Sequence, residues 1–184
     1  MESSTSLTSE KLIFRHPKLD DGYAIYQLIK RCPPLDLNSS YLYFLQADHF
    51  SDTCVIALSN DKVVGFISAY RHPKNKNQLF VWQVAVDATI RGKQAGLQLL
   101  EQLVVQQQSA EVTSISATIS PSNIASQKLF QRFTNRHNLM ITKQPYLLEC
   151  HFADLGHEAE ELYLISATNN QPLPLLLTTE LNKV

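Results

Sequence analysis

Arg91, Gly92, Lys93, Gln94, Ala95 and Gly96 stand just after an apolar, β-branched run, residues 80–86 (FVWQVAV). Beyond them apolar residues recur at helical spacing: Leu97, Leu100, Leu103 and Val104. The order is strand, basic glycine-bearing turn, helix. A helix start leaves backbone N–H groups unpaired and carries a partial positive charge. With Arg91 and Lys93 beside it, that start is a seat for phosphate or diphosphate. Other chemistries find less support. His151 and His157 match no common zinc spacing. Cys150 has no evident histidine partner to make it a nucleophile.

These residues need elements to position them. Alternation in the central run puts Phe80, Trp82, Val84 and Val86 on one face and Val81, Gln83 and Ala85 on the other. Both faces are largely apolar, which predicts an interior strand covered on two sides. Upstream, a first strand falls within 11–16. Asp20 can cap a helix over 21–31, which Pro33-Pro34 stops. Ser39 or Ser40 can cap a second helix carrying Tyr41, Leu42, Phe44 and Leu45. Residues 53–58 and 62–70 read as a hairpin turning at Asn60-Asp61. A polar loop over 72–77 leads to the central strand. Downstream, 113–119 alternates as a strand, and Ser120-Pro121 opens a helix with Ala125, Leu129, Phe130 and Phe133 as its buried stripe. Residues 139–150 read as a strand in which Pro145 argues for an edge or a bend. A polar, acidic loop over 151–160 and a short closing strand over 162–165 follow.

The bulk numbers bound the class. At 184 residues the chain is one domain by prior, with room for a core. Hydrophobic content of 44% and charged content of 18% are ordinary for a soluble globular protein. A net charge of -1 gives no argument for nucleic acid or an anionic membrane. The run LPLLL near the end is too short to span a bilayer. The N-terminus has neither the basic start nor the apolar core of a signal peptide. The three cysteines, Cys32, Cys54 and Cys150, are scattered without CxxC spacing. They favour a reducing cytoplasm and free thiols. The expected organisation is a polar N-terminal tail over 1–10, one domain over 11–165, and a C-terminal tail over 166–184. The tail's leucine-rich patch would dock on the body or on a partner. The element order predicts a single α/β sheet with helices on both faces.

Val86 followed by Arg91-Gly92-x-x-x-Gly96 resembles the acetyl-CoA pyrophosphate loop of the GNAT N-acetyltransferases. A second stretch, Ser120-Pro121-Ser122-Asn123-Ile124-Ala125-Ser126-x-x-Leu129-Phe130, resembles that family's later cofactor-contacting motif. The resemblance implies a mixed, mostly antiparallel sheet. It implies acetyl-CoA as acetyl donor, with Val84, Val86, Arg91, Gly92, Lys93, Gln94, Ala95, Gly96 and Asn123 at its site. Two positions depart from the family pattern. Gln94 stands where the loop usually has its first glycine, and could still offer a backbone N–H if its φ is negative. Phe130 stands where many members carry a tyrosine that protonates the departing thiolate.

Three further stretches narrow the likeness: Pro34-Leu35-Asp36-Leu37-Asn38-Ser39-x-Tyr41, residues 80–86, and Gly156-His157-Glu158-x-Glu160. Together they resemble the L-2,4-diaminobutyrate N-acetyltransferases of ectoine biosynthesis, over about residues 11–165. That likeness implies a cytoplasmic homodimer acetylating a small diamino acid, without a metal, to supply a compatible solute under osmotic stress.

The chemistry sets requirements. Amine attack on a thioester needs a preset donor for the oxyanion, which in the family is backbone at the positions of Val84 to Val86. A lysine-like amine is only about one part in 2,500 neutral at pH 7, so some group must take its proton. A diamino acid calls for carboxylates near its amines and Arg, Lys or N–H donors near its carboxylate. Asp36 is placed to hold an ammonium, or else is a turn or capping aspartate. Tyr41 would hydrogen-bond substrate or serve the thiolate, or else is a half-buried helix tyrosine. Trp82 would wall the pocket and face an ammonium, or else is a core tryptophan. Glu158 would bind or deprotonate the amine, or else is a solvated loop acid, with Glu160 and Glu161 as competitors. Two other functions stay open: acetylation of another small amino acid or polyamine, and a non-catalytic acetyl-CoA-binding module.

Overall fold

The computed structural model describes residues 11–107, 111–153, 156–169 and 171–181. The expected N-terminal tail over 1–10 lies outside them. Seven strands form one sheet: β1 (Ile13–Arg15), β2 (Cys54–Ser59), β3 (Lys62–His72), β4 (Asn75–Val86), β5 (Ser114–Ile119), β6 (Met140–Leu147) and β7 (Glu160–Ser166). Their order is β1-β2-β3-β4-β5-β7-β6. β4 and β5 run parallel, and the other neighbouring pairs are antiparallel. The helices are α1 (Gly22–Lys30), α2 (Ser40–Asp48), α3 (Ala95–Val105), α4 (Ile124–Arg136) and α5 (Leu173–Leu181).

Helices cover both faces, as the element order implies. Ile25, Leu28 and Tyr43 of α1 and α2 pack with Ile56 and Phe66 of the sheet on one side. Leu99, Leu103, Phe133, Leu173 and Leu177 of α3, α4 and α5 pack with Ile67, Val81 and Ile115 on the other. Local chemistry explains the joints. Asn60 and Asp61, at φ 47 and 60, form the left-handed two-residue turn between β2 and β3. Ser39 caps α2 by accepting the Tyr41 N–H. Gly22 lets α1 meet α2 closely, since a Cβ there would lie 2.5 Å from Phe44 Cδ1.

Several expectations are corrected. Asp21, not Asp20, precedes α1, and its carboxylate turns to Arg15 at 2.7 Å instead of capping the helix. β4 begins at Asn75, inside the stretch expected to be loop. α4 starts at Ile124, because Asn123 caps it by accepting the Ser126 N–H at 3.0 Å. Ala125 is exposed, and Phe130, Phe133 and Thr134 form the buried stripe. β7 inserts between β5 and β6 rather than closing the sheet, so β6 with its Pro145 holds the edge. The leucine-rich patch after Ser166 is α5. It docks on the body, with Leu173 and Leu177 fully buried and the Leu173 N–H donating to the Val112 carbonyl at 2.8 Å.

Two irregularities of β4 shape the rest. Ser68 pairs with Gln83 but Ala69 pairs with Val81, so Trp82 is an extra residue, a β-bulge. The bulge reverses the alternation. Leu79, Val81, Val84 and Val86 pack on the α3 side, and Ala85 packs on the α1 side. The expected grouping of Phe80 and Trp82 with Val84 and Val86 therefore fails at Trp82. The ladder between β4 and β5 also ends early, at Phe80 opposite Ser116. Beyond it β4 pairs with β3 and β5 with β7, and a wedge opens between them.

Candidate active site

The end of β4 leads into the basic turn. Asp87 accepts the Thr89 N–H at 3.0 Å and starts a short 3-10 turn, Ala88–Ile90. That bond, opposed by partial burial and helped by Arg31, holds the Asp87 carboxyl down at about 2. Gly92 follows at φ +80, a left-handed conformation that favours glycine. Gln94 is left-handed too, at φ 60 and ψ 15, and stands at the N-cap of α3. The condition of a negative φ at Gln94 is thus not met. The first bond of α3 runs from the Gln98 N–H to the Gln94 carbonyl. The N–H groups of Ala95, Gly96 and Leu97 therefore lack carbonyls within the helix. Arg91 and Lys93 are exposed beside this start, and Arg91 Nε donates to the Val86 carbonyl at 3.2 Å. The Val86 carbonyl, which also accepts from Cys32 Sγ at 3.5 Å, is thereby engaged. The arrangement fits a diphosphate at the helix start with its arm running along β4.

At the mouth of the wedge lies a cavity of about 790 Å³ with four walls. The loop between α1 and α2 supplies Pro34, Leu35, Asp36 and Asn38. β3 and β4 supply Tyr70, Phe80, Trp82 and Gln83. The turn from β5 to α4 supplies Thr118, Ser120, Ser122 and Asn123. The segment before β7 supplies Gly156, His157, Glu158 and Glu160. Three carboxylates face this space, and no lysine or arginine lines it among the described residues. Tyr70 stacks on Phe80 at 5.0 Å and meets Trp82 edge-on at 6.5 Å. Burial, then the neighbouring Tyr146, pushes the Tyr70 phenol up, so its O–H stays a donor.

The carboxylates are positioned from the backbone. Glu158 Oε2 accepts the Ser122 N–H at 3.1 Å, tying the two late walls together. His157 stacks on Phe152 at 4.0 Å and donates its Nδ1–H to the Glu158 carbonyl at 2.8 Å. Asp36 lies in a loop held at two points. Gln83 Nε2 donates to the Asp36 carbonyl at 2.8 Å, and the Asn38 N–H donates to the Tyr43 hydroxyl at 3.1 Å.

The structure thus brings Asp36, Trp82, Asn123 and Glu158 to one cavity. It does not bring Tyr41 there. Capping by Ser39 puts Tyr41 at the second residue of α2, 68% exposed, while Tyr43 takes the inward position. Residue reading missed Tyr70, Gln83 and His157 as wall residues. Tyr70 and Gln83 read as strand positions, and only the unforeseen bulge decides where Gln83 points. Among the described residues no group of three or more His, Cys, Asp or Glu is placed to hold a metal ion. No described helix is long and apolar enough to cross a membrane.

Comparison with known proteins agrees with this geometry. Residues 22–134 match the family model of the acetyltransferase (GNAT) family. The L-2,4-diaminobutyric acid acetyltransferase of Vibrio cholerae is 43% identical over 83% of this chain and 88% of that protein. The enzyme of the same name from Virgibacillus pantothenticus is 43% identical over 81% of this chain and 94% of that protein. The solved structure of diaminobutyrate acetyltransferase EctA from Paenibacillus lautus, in complex with its substrate L-2,4-diaminobutyric acid and coenzyme A, superposes with a TM-score of 0.81. It is 39% identical and covers 85% of this chain and 95% of that one. This chain belongs to the GNAT acetyltransferases and, within them, to the L-2,4-diaminobutyric acid acetyltransferase family.

Proposed function

We propose that the protein transfers the acetyl group of acetyl-CoA to the γ-amine of L-2,4-diaminobutyrate, giving Nγ-acetyl-diaminobutyrate and CoA for ectoine biosynthesis. The observation that carries this reading is a cavity walled by Asp36, Glu158 and Glu160, with no lysine or arginine among the described residues that line it, where β4 and β5 part. Such a wall attracts the two ammoniums of a net-cationic diamino acid and disfavours an anionic amine acceptor such as glutamate. The family relationship points to the same substrate.

Each residue has a task. The amides at the start of α3, with Arg91 and Lys93, hold the diphosphate. Val84 offers backbone to the acyl end. The thioester supplies the acetyl group. Asp36 holds one ammonium of the diamine, and the Trp82 ring faces it. Glu158, fixed by the Ser122 N–H, accepts a proton from the attacking amine. The carboxylates favour the charged amine, so Glu158 takes one ammonium proton before the freed lone pair attacks; the second N–H proton leaves as the tetrahedral adduct expels the CoA thiolate, which is protonated to the thiol. With no lysine or arginine on the wall among the described residues, neutral donors there hold the substrate carboxylate. Asn38, Ser120, Ser122 and Asn123 can serve, as can the Tyr70 and Thr118 hydroxyls.

The protein acts in the cytoplasm as a homodimer under osmotic stress. Met140 and Leu164 support the dimer. They lie on the face of the β6–β7 pair opposite Ile141 and Ile165, at the sheet edge, and are 47% and 37% exposed. Leu164→Lys should shift light-scattering mass from two chains to one, and an unchanged mass would place the interface elsewhere.

CoA release assayed with diaminobutyrate, ornithine, lysine, spermidine and glutamate tests the activity. The highest kcat/KM is expected with diaminobutyrate. An equal or higher value for another amine would reassign the substrate. Binding of acetyl-CoA without turnover of any amine would make the protein a sensor.

A further inference from the structure

We infer that Gln83 is a positioning residue that sets the gap between the substrate amine and the thioester, by clamping the Asp36 loop to the strand that carries the acyl end. The inference rests on the reading of this cavity as a diamine acetyltransferase site. Gln83 follows the bulge residue Trp82 and precedes Val84. The bulge is what turns it. In unbroken alternation Gln83 would share the face of Val81, against α3. With one residue inserted it shares the face of Ala85 and reaches the loop between α1 and α2.

The contact is short and sheltered. Gln83 is 7% exposed, and its Nε2 donates to the Asp36 carbonyl at 2.8 Å. A carbonyl only accepts, so the amide has one orientation. Its Oε1 is then buried without a hydrogen-bond partner. A buried, unpaired amide oxygen destabilises a fold. A residue chosen for packing alone would be methionine or leucine, which fill similar space. The amide is therefore explained by the one bond it makes. That bond crosses from the acyl side of the site to the amine side. Orientation of two reactants depends steeply on such spacing, and about 1 Å of misplacement can cost on the order of a hundredfold in rate.

The test uses the full chain with Gln83→Met and Gln83→Glu. Turnover of diaminobutyrate by the wild-type protein comes first, and its failure would reject the functional reading independently of Gln83. Given turnover, Gln83→Met should lose about tenfold or more in kcat/KM for diaminobutyrate. It should also discriminate less between diaminobutyrate and the longer ornithine, with its KM for acetyl-CoA within about twofold of wild type. Gln83→Glu should be impaired at pH 8 and recover relative to wild type as pH falls, because a protonated carboxyl can donate to the Asp36 carbonyl. Unchanged kcat/KM and unchanged discrimination in Gln83→Met would overturn the proposal. So would equal losses for both substrates, which mark a general packing role. If Gln83→Met does not fold, a flat pH ratio for Gln83→Glu overturns it alone.

Discussion

Arg31 Nε donates to Asp87 Oδ2 at 2.6 Å and joins the end of α1 to the turn that precedes the proposed diphosphate seat. Asp87 also accepts from Thr89, first among the causes that hold its carboxyl at about 2, below the ordinary 3.8. A carboxyl depressed by folding binds its proton more readily in the unfolded chain. Its stabilisation is present above about pH 4 and is lost as pH falls toward 2. Asp87→Asn keeps an oxygen that can cap Thr89 but removes the charge, so Tm should fall at pH 7 by the charge-dependent part of these bonds alone. The gap from wild type should close in thermal melts below about pH 3. Arg31→Ala should cost less, because that guanidinium is 47% exposed and screened.

Gln94 adopts a left-handed conformation at the N-cap of α3, which costs a side-chain-bearing residue about 1–2 kcal/mol. Arg136 Nη1 donates to its Oε1 at 3.4 Å, too long to offset that. Gln94→Gly should keep or tighten acetyl-CoA binding in calorimetry. Tm should rise by a few degrees, at about 2–4 °C per kcal/mol for a chain of this size. A large loss of affinity would show that the glutamine side chain touches the nucleotide.

The turn and helix start proposed to seat the diphosphate were legible because strand, glycine-bearing turn and helix are consecutive, and local spacing defines them. The acidic wall was only half legible. Asp36 and Glu158 stand out by type, but 122 residues separate them, and nothing local says they meet. They meet because β7 inserts beside β5 and brings its leading segment to the mouth of the wedge. The bulge at Trp82 leaves no local mark, since a run as apolar as 80–86 alternates plausibly in either phase. Gln83 was hidden for that reason. Tyr41 was misplaced because an aromatic-rich helix start gives no clear stripe, and one capping serine decides which tyrosine turns inward.

Phe130 is 2% exposed and packed in the cluster between the sheet and α3. It does not line the cavity. Phe130→Tyr would place a hydroxyl among apolar neighbours and should cost about 1–3 kcal/mol, read as a lower Tm. It should not raise kcat. An increase in kcat would show that a phenol here can reach the thiolate.

Leu177 is fully buried, and α5 packs on α3, the helix whose start is the proposed diphosphate seat. Leu177→Ala should cost about 3 kcal/mol. The corresponding drop in Tm is roughly 6–12 °C. Acetyl-CoA should restore part of the loss, because a ligand bound by the folded chain alone stabilises it. No change in Tm would mean that α5 is not integral to the core.

Asp36→Asn separates the charge of Asp36 from its backbone. The carbonyl that Gln83 grips survives the substitution, so the loop should keep its place. What is lost is a carboxylate facing an ammonium, a charge-assisted bond worth about 1.5–3 kcal/mol. KM for diaminobutyrate should rise at least tenfold, while KM for acetyl-CoA stays near wild type. Salt offers an independent check. Screening weakens attraction between the acidic wall and a net-cationic substrate, so the wild-type KM should rise with ionic strength. With one of three wall charges removed, the slope of that dependence should flatten. A parallel rise in KM for acetyl-CoA, or an unaltered salt slope, would mean that Asp36 shapes its loop without touching the substrate.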